Sequence, residues 1–164
     1  MTAMPQPERP DIVAGYGIPD TPPAMAWEWV ERQLLEARNY WIATTRRDGR
    51  PHAMPVWGLW LDGAVMFSTG RGSVKHRNIE RNPEIVVHLE SGDDAVIVEG
   101  RVKVVSDAAL LGRFVELYEQ KYAFRPDPAD PNGLYYALRP RVVLAWREQD
   151  FVNTAARWRF DPGP

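Results

Sequence analysis

The stretch YWIATTRRDGRPHAMPVWGLWLDGAVMFST, Tyr40–Thr69, decides the fold. Tyr40–Thr45 is rich in β-branched and aromatic residues and ends at Asp48-Gly49, a strong hairpin signal. Arg50–Leu61 alternates and reads as one strand, with Ala53, Pro55, Trp57 and Leu59 on one face and largely apolar residues on the other. Covered faces on both sides suit a closed barrel or a sheet with a ligand against it. Asp62-Gly63 turns the chain again and Ala64–Thr69 is a third strand. Pro55 lacks a ladder donor and Gly58 lacks a side chain, so mid-strand is either a bulged edge or a place where a ligand approaches the backbone.

Downstream, Ser68–Pro83 reads STGRGSVKHRNIERNP: a Gly-Arg-Gly turn opens a short basic helix over residues 73–81, stopped at Asn82-Pro83. Free N–H groups at that helix start, with Arg71, Lys75 and Arg77 beside it, make either a phosphate seat or a solvated cationic face. Glu84–Leu89 and Ala95–Val105 are further strands, the second with Val96, Val98, Val102 and Val104 on one face and a bulge or bend at Gly100. Ser106 or Asp107 caps a helix over residues 107–122, and Leu134–Leu138 reads as one more helical turn. Val142–Trp146 and Ala156–Phe160 close the chain as strands. Upstream, Trp27, Val30, Leu34 and Leu35 place a helix over residues 24–38, and residues 1–23, with six prolines, form an extended arm. Runs of antiparallel strands with few helices predict a mainly β (α+β) small barrel of about six to seven strands with flanking helices, one domain over residues 24–164.

A length of 164 residues fits one such domain, and a net charge of -2 gives no global signal for nucleic acid or an anionic membrane. Having no cysteine excludes disulfides, thiolate catalysis, Cys-ligated zinc and iron–sulfur clusters. No secretion signal or membrane-length apolar run is present, so a cytoplasmic location and small-molecule or protein partners are expected. Seven tryptophans suggest a core, interface or planar-ligand site rich in aromatics.

His52, His76 and His88 have no metal-ligand spacing, no GxSxG elbow exists, and Gly70-Arg71-Gly72-Ser73 lacks the Gly-Lys-Ser/Thr ending of a nucleotide P-loop. What remains is a backbone-disturbed strand joined by a tight turn to a strand ending in Ser68, Thr69, Arg71 and Lys75. Such a pair suits a planar ring held by main chain and a phosphate held by the basic turn.

These pieces resemble the pyridoxamine-phosphate-oxidase-like split β-barrel superfamily. The markers are A-T-x-x-x-D-G-x-P at Ala43–Pro51, P-V-W at Pro55–Trp57, F-S-T at Phe67–Thr69, K-x-x-N-x-x-x-N-P at Lys75–Pro83 and V-E-G at Val98–Gly100. The tail from Arg139 to Phe160 is similar to the closing strands of the flavin and deazaflavin oxidoreductase branch. The resemblance implies a homodimer with two interfacial cofactor sites. Carried over by position, it assigns Ser68, Thr69, Arg71 and Lys75 to the cofactor phosphate and Pro55, Val56 and Trp57 to its ring, with Arg157 and Trp158 reaching the partner's site. The oxidase's arginine–histidine substrate signature is replaced here by Ala156-Arg157-Trp158-Arg159-Phe160. The P-V-W strand and K-x-x-N helix point to coenzyme F420, whose acidic tail would follow Arg46, Arg47, Arg50, Arg71 and Arg77. Two alternatives stay open: the same barrel using FMN, and a non-enzymatic flavin or haem carrier.

Overall fold

The computed structural model describes residues 4–13 and 15–161. Parts of the N-terminal arm, residues 1–3 and 14, lie outside the described residues. The elements run α1 (Trp27–Glu36), β1 (Tyr40–Thr45), β2 (Pro51–Val56), β3 (Gly58–Leu61), β4 (Ala64–Gly70), α2 (Val74–Arg81), β5 (Glu84–His88), β6 (Asp94–Val104), α3 (Ala108–Tyr122), β7 (Gly133–Arg147), a 3-10 turn at Glu148–Asp150, α4 (Phe151–Thr154) and β8 (Ala156–Arg159).

All pairings are antiparallel, in the order β2-β1-β5-β6-β7-β4-β3, with β8 also on β7. Strands β2 and β3 stand at opposite ends of that path, yet only Trp57 separates them in sequence. Two Cα steps span at most about 7 Å, so chain continuity alone forces the sheet to curl until its ends meet. The split barrel expected from the sequence is therefore the fold, with eight strands where six to seven were expected.

Three local expectations are corrected. Arg50–Leu61 is not one strand. It leaves β1 at Val56 and joins β4 at Gly58, because a Pro55 without an N–H and a glycine two residues past Val56 let the ladder change partner. Its first half, as an edge strand, is mostly exposed and its second half is buried. Leu134–Leu138 is not a helical turn but part of β7, where Tyr135 and Tyr136 alternate faces between two core clusters. Val104, on the face it shares with Val102, is not buried with it but stands more than half exposed at the end of β6.

Gly100 is the bulge it was read as, with the β6–β7 register shifting between Glu99 and Gly100. A Cβ there would meet the Arg139 carbonyl at 2.5 Å. Asp107 caps α3, its Oδ1 accepting from Leu110 N–H at 2.7 Å. The long β7 pairs with β4 along its first half and with β8 along its second, leaving a gap between those two strands. Trp27 of α1 sits among the aromatics there, its ring centroid 5.5 Å from Trp158, 5.4 Å from Phe160 and 6.3 Å from Trp60. The arm lies across β8: Glu8 and Arg157 exchange backbone hydrogen bonds at 2.9 and 2.8 Å, and Arg9 donates to the Val152 carbonyl at 2.9 Å. No helix of the described residues is long and apolar enough to cross a membrane.

Candidate cofactor-binding site

The change of strand partner at Trp57 creates the site. Gly58 pairs with Phe67, so an uninterrupted hairpin would set Trp57, Val56 and Pro55 opposite Ser68, Thr69 and Gly70. Instead the chain peels away to pair with β1. Ser68–Gly70 remain bonded to β7 on one side only, and Pro51–Val56 to β1 on one side only. Two strand edges with unshared N–H and C=O groups diverge from a common apex, and such edges can bond the rim of a planar ligand.

The apex is braced by α3. Tyr122 Oη donates to the Gly58 carbonyl at 2.7 Å and accepts from Gly58 N–H at 3.1 Å. The Trp57 indole stacks on the Tyr122 ring at 4.8 Å with an interplanar angle of 6°, and the Arg38 guanidinium lies over it at 5.5 Å. Trp57 is held by protein yet 38 % exposed, so a face of the indole is left for a ligand.

Helix α2 reaches across from β4 to β1. Ser73 is its N-cap, accepting from His76 N–H at 3.0 Å, and its Oγ lies 2.9 Å from Thr69 Oγ1. Asn78 Nδ2 donates to Thr44 Oγ1 at 2.9 Å on β1. Lys75 is part-buried beside the turn, has no carboxylate within 4.0 Å among the described residues, and burial pushes its pKa below the usual lysine range. His52 on β2 is also pushed down, first by burial and then by the charges of Arg46 and Lys75. A half-buried ammonium beside a helix N-terminus, with no anion of its own, fits a phosphate.

Of the residues expected at the phosphate, Ser68, Thr69 and Lys75 surround this turn. Arg71 projects away to the other side, donating to the Pro131 carbonyl at 2.7 Å and lining a 470 Å³ pocket with His76 and Tyr136. Arg77 folds back onto the Gly72 carbonyl at 2.7 Å, and Arg50 pairs with Asp48 at 2.8 Å. Pro55, Val56 and Trp57 form the opposing edge. Trp158 is fully buried against Trp27 and has no surface to offer a ligand, and Arg157 holds Glu8 at 2.8 Å and Asp11 at 2.6 Å. Ser73, Thr44, His52 and Asn78 were not assigned to this site from sequence, although Thr44 and Asn78 are fixed positions of the A-T and K-x-x-N markers and Ser73 stands as a capping residue before the helical run.

With this geometry in view, the comparisons are decisive for family. The model of the pyridoxamine 5'-phosphate oxidase family matches residues 27–147. The chain belongs to that family. Its superfamily of split barrels binds flavins and includes oxidoreductases. A conserved hypothetical protein from Mycobacterium tuberculosis superposes with a TM-score of 0.67 at 21% identity, covering 77% of this chain and 88% of that one. General Stress Protein 26 from Bacillus anthracis gives 0.60 at 26% identity, covering 72% and 91%. An F420 reductase gives 0.58 at 23% identity, covering 75% and 98%. No curated protein matches the chain.

The apex of the site also carries a testable electrostatic cost. Lys121 donates to the Leu35 carbonyl at 3.2 Å and has no carboxylate within 4.0 Å among the described residues, and burial pushes its pKa down to about 8 from 10.5. A lowered lysine pKa means the unfolded chain binds the proton more tightly, so stability should rise as pH goes from about 8 toward 10.5. Lys75 adds a shift of the same sign. Denaturant midpoints at about pH 7.5 and about pH 9.5 should differ in that direction, and Lys121→Met should flatten the difference.

Proposed function

We propose that the chain is a homodimeric oxidoreductase subunit that holds coenzyme F420 in the crevice between Pro55–Trp57 and Ser68–Thr69 and transfers a hydride to or from a small conjugated substrate. The carrying observation is Lys75, a half-buried cation with no carboxylate within 4.0 Å among the described residues, beside the Ser73-capped start of α2. The cofactor's phosphate would lie against Lys75, Ser73 and Thr69, and its ring edge against the free β2 edge. When bound, the deazaflavin supplies two-electron hydride chemistry. This chain's residues orient the ring, exclude water through the Trp57–Tyr122 stack and set the charge around it. The similarity to an F420 reductase favours the deazaflavin over FMN.

A dimer is supported by the outer sheet face. Trp41, His88, Ile97 and Leu144 run in one cross-strand row, and Ala43, Val86, Glu99 and Val142 in the next, all only part-buried in the single chain. Exposed Ala53 and Pro55, the cross-strand partners of Ala43 and Trp41, extend this largely apolar surface to β2 beside the crevice.

Titration of the purified protein with F420 and FMN, followed by fluorescence quenching, tests the reading. Saturable F420 binding tighter than FMN binding is expected, and binding of neither would overturn it. Lys75→Ala should weaken F420 binding by about 1–3 kcal/mol, roughly 5- to 150-fold, at unchanged Tm. Unaltered affinity would remove Lys75 from the phosphate end.

A further inference from the structure

A groove of about 1110 Å³ opens on the outer surface where β7 parts from β4 toward β8. Trp27, Trp60 and Phe160 form its apolar wall, and Arg101, Lys103, Arg139 and Arg141 its basic one. It is separate from the crevice: none of the residues assigned there lines it.

The charges are poorly compensated. Arg101 and Arg139 are direct cross-strand partners, an arrangement in which like charges repel. Glu84 serves two arginines, Arg141 at 2.6 Å and Arg101 at 3.7 Å. The one hydrogen bond from the Arg139 side chain goes to the Asp62 backbone carbonyl at 3.3 Å, and Lys103 has no carboxylate within 4.0 Å among the described residues. Glu31 on the wall is committed to the Trp60 indole N–H at 3.0 Å. The nearby bulge brings this about, since at Gly100 β6 bends and Arg141 becomes the extra residue on β7. Five cations line the groove, Arg101, Lys103, Arg139, Arg141 and Arg159, against three carboxylates, Glu31, Glu84 and Asp161, and a bound anion would relieve the excess of positive charge.

We propose that this groove is a second ligand site, for a small organic carboxylate with a flat apolar body. The planar guanidinium forks of Arg101 and Arg139 match a carboxylate, and the part-exposed Phe160 ring, backed by buried Trp27 and Trp60, matches a flat apolar body. Its location apart from Lys75 makes it independent of the cofactor reading.

Naphthalene-2-carboxylate is a suitable probe, titrated by calorimetry against the full chain and against the Arg101→Gln/Arg139→Gln double variant. The expected result is saturable binding with one site per chain, weakened about tenfold or more in the double variant. F420 affinity should be unchanged there, and Lys75→Ala should leave naphthoate binding intact. The proposal is overturned by no saturable binding up to about 1 mM, by equal binding in the double variant, or by one-for-one competition with F420. Loss of F420 binding with naphthoate binding retained would instead reject only the crevice assignment.

Discussion

Trp158→Ala is expected to destabilise the protein by about 3–5 kcal/mol, the range for emptying a fully buried large aromatic site. Trp158 has no exposed surface and makes an edge contact with Trp27, which in turn touches Trp60 and Phe160. Removing it leaves a void between β8 and α1 that rigid strand backbones on β7 cannot close. Denaturant unfolding should show the loss as a lower midpoint at unchanged slope. Trp158→Phe, which refills most of the volume, should recover much of it. If instead the indole served a cofactor in a partner subunit, Trp158→Phe would cost cofactor affinity at near-native stability. Trp158 would then have to leave the core, which its packing opposes.

Gly58→Val should cost about 3 kcal/mol or more and also loosen the crevice. A Cβ at this position would stand 2.8 Å from the Met66 carbonyl oxygen and 3.2 Å from the Tyr40 ring. The carbonyl belongs to the β3–β4 ladder and the ring is fully buried, so neither can yield cheaply. Displacing Gly58 also disturbs both hydrogen bonds to Tyr122, and with them the stack that holds Trp57 at the apex. Thermal melting and F420 titration of the same variant should therefore both move. Gly72→Ala is the control: a Cβ there meets nothing within 4 Å and the residue has no left-handed backbone, so stability should change by less than about 0.5 kcal/mol. A Gly58→Val protein that melts like the parent would show that the apex is not the tight junction described.

Both positions show where sequence reasoning is strong and where it stops. Turn chemistry and alternation placed most strands and three helices correctly, because Asp-Gly turns, Asn-Pro stops and period-2 patterns act over a few residues. The same locality misread Leu134–Leu138: five residues of mixed aromatic and aliphatic character fit a helical turn equally well, and only pairing with Ser68, Phe67 and Val65 on β4 makes them strand. Trp158 was assigned to a shared site by carry-over from the closing strand of the family it resembles. Strand alternation at β8 then turned the indole inward and the arginines toward Glu8 on the arm.

By itself the sequence determined the family, the strand-rich class and the capped basic helix, all carried by contiguous motifs, and it nominated Ser68, Thr69 and Lys75 for the proposed phosphate end. Only the tertiary structure decided that the chain between Pro51 and Leu61 serves two strands at opposite ends of one sheet, and so where a crevice opens. It likewise decided that Arg71 and Arg77 bond backbone carbonyls away from Lys75, and that Arg101 and Arg139, 38 positions apart in the chain, stand side by side. For the crevice and the arginine pair the reason is the same: strand pairing joins residues by register across the sheet, and register is fixed by closure of the whole barrel and not by any local run of residues.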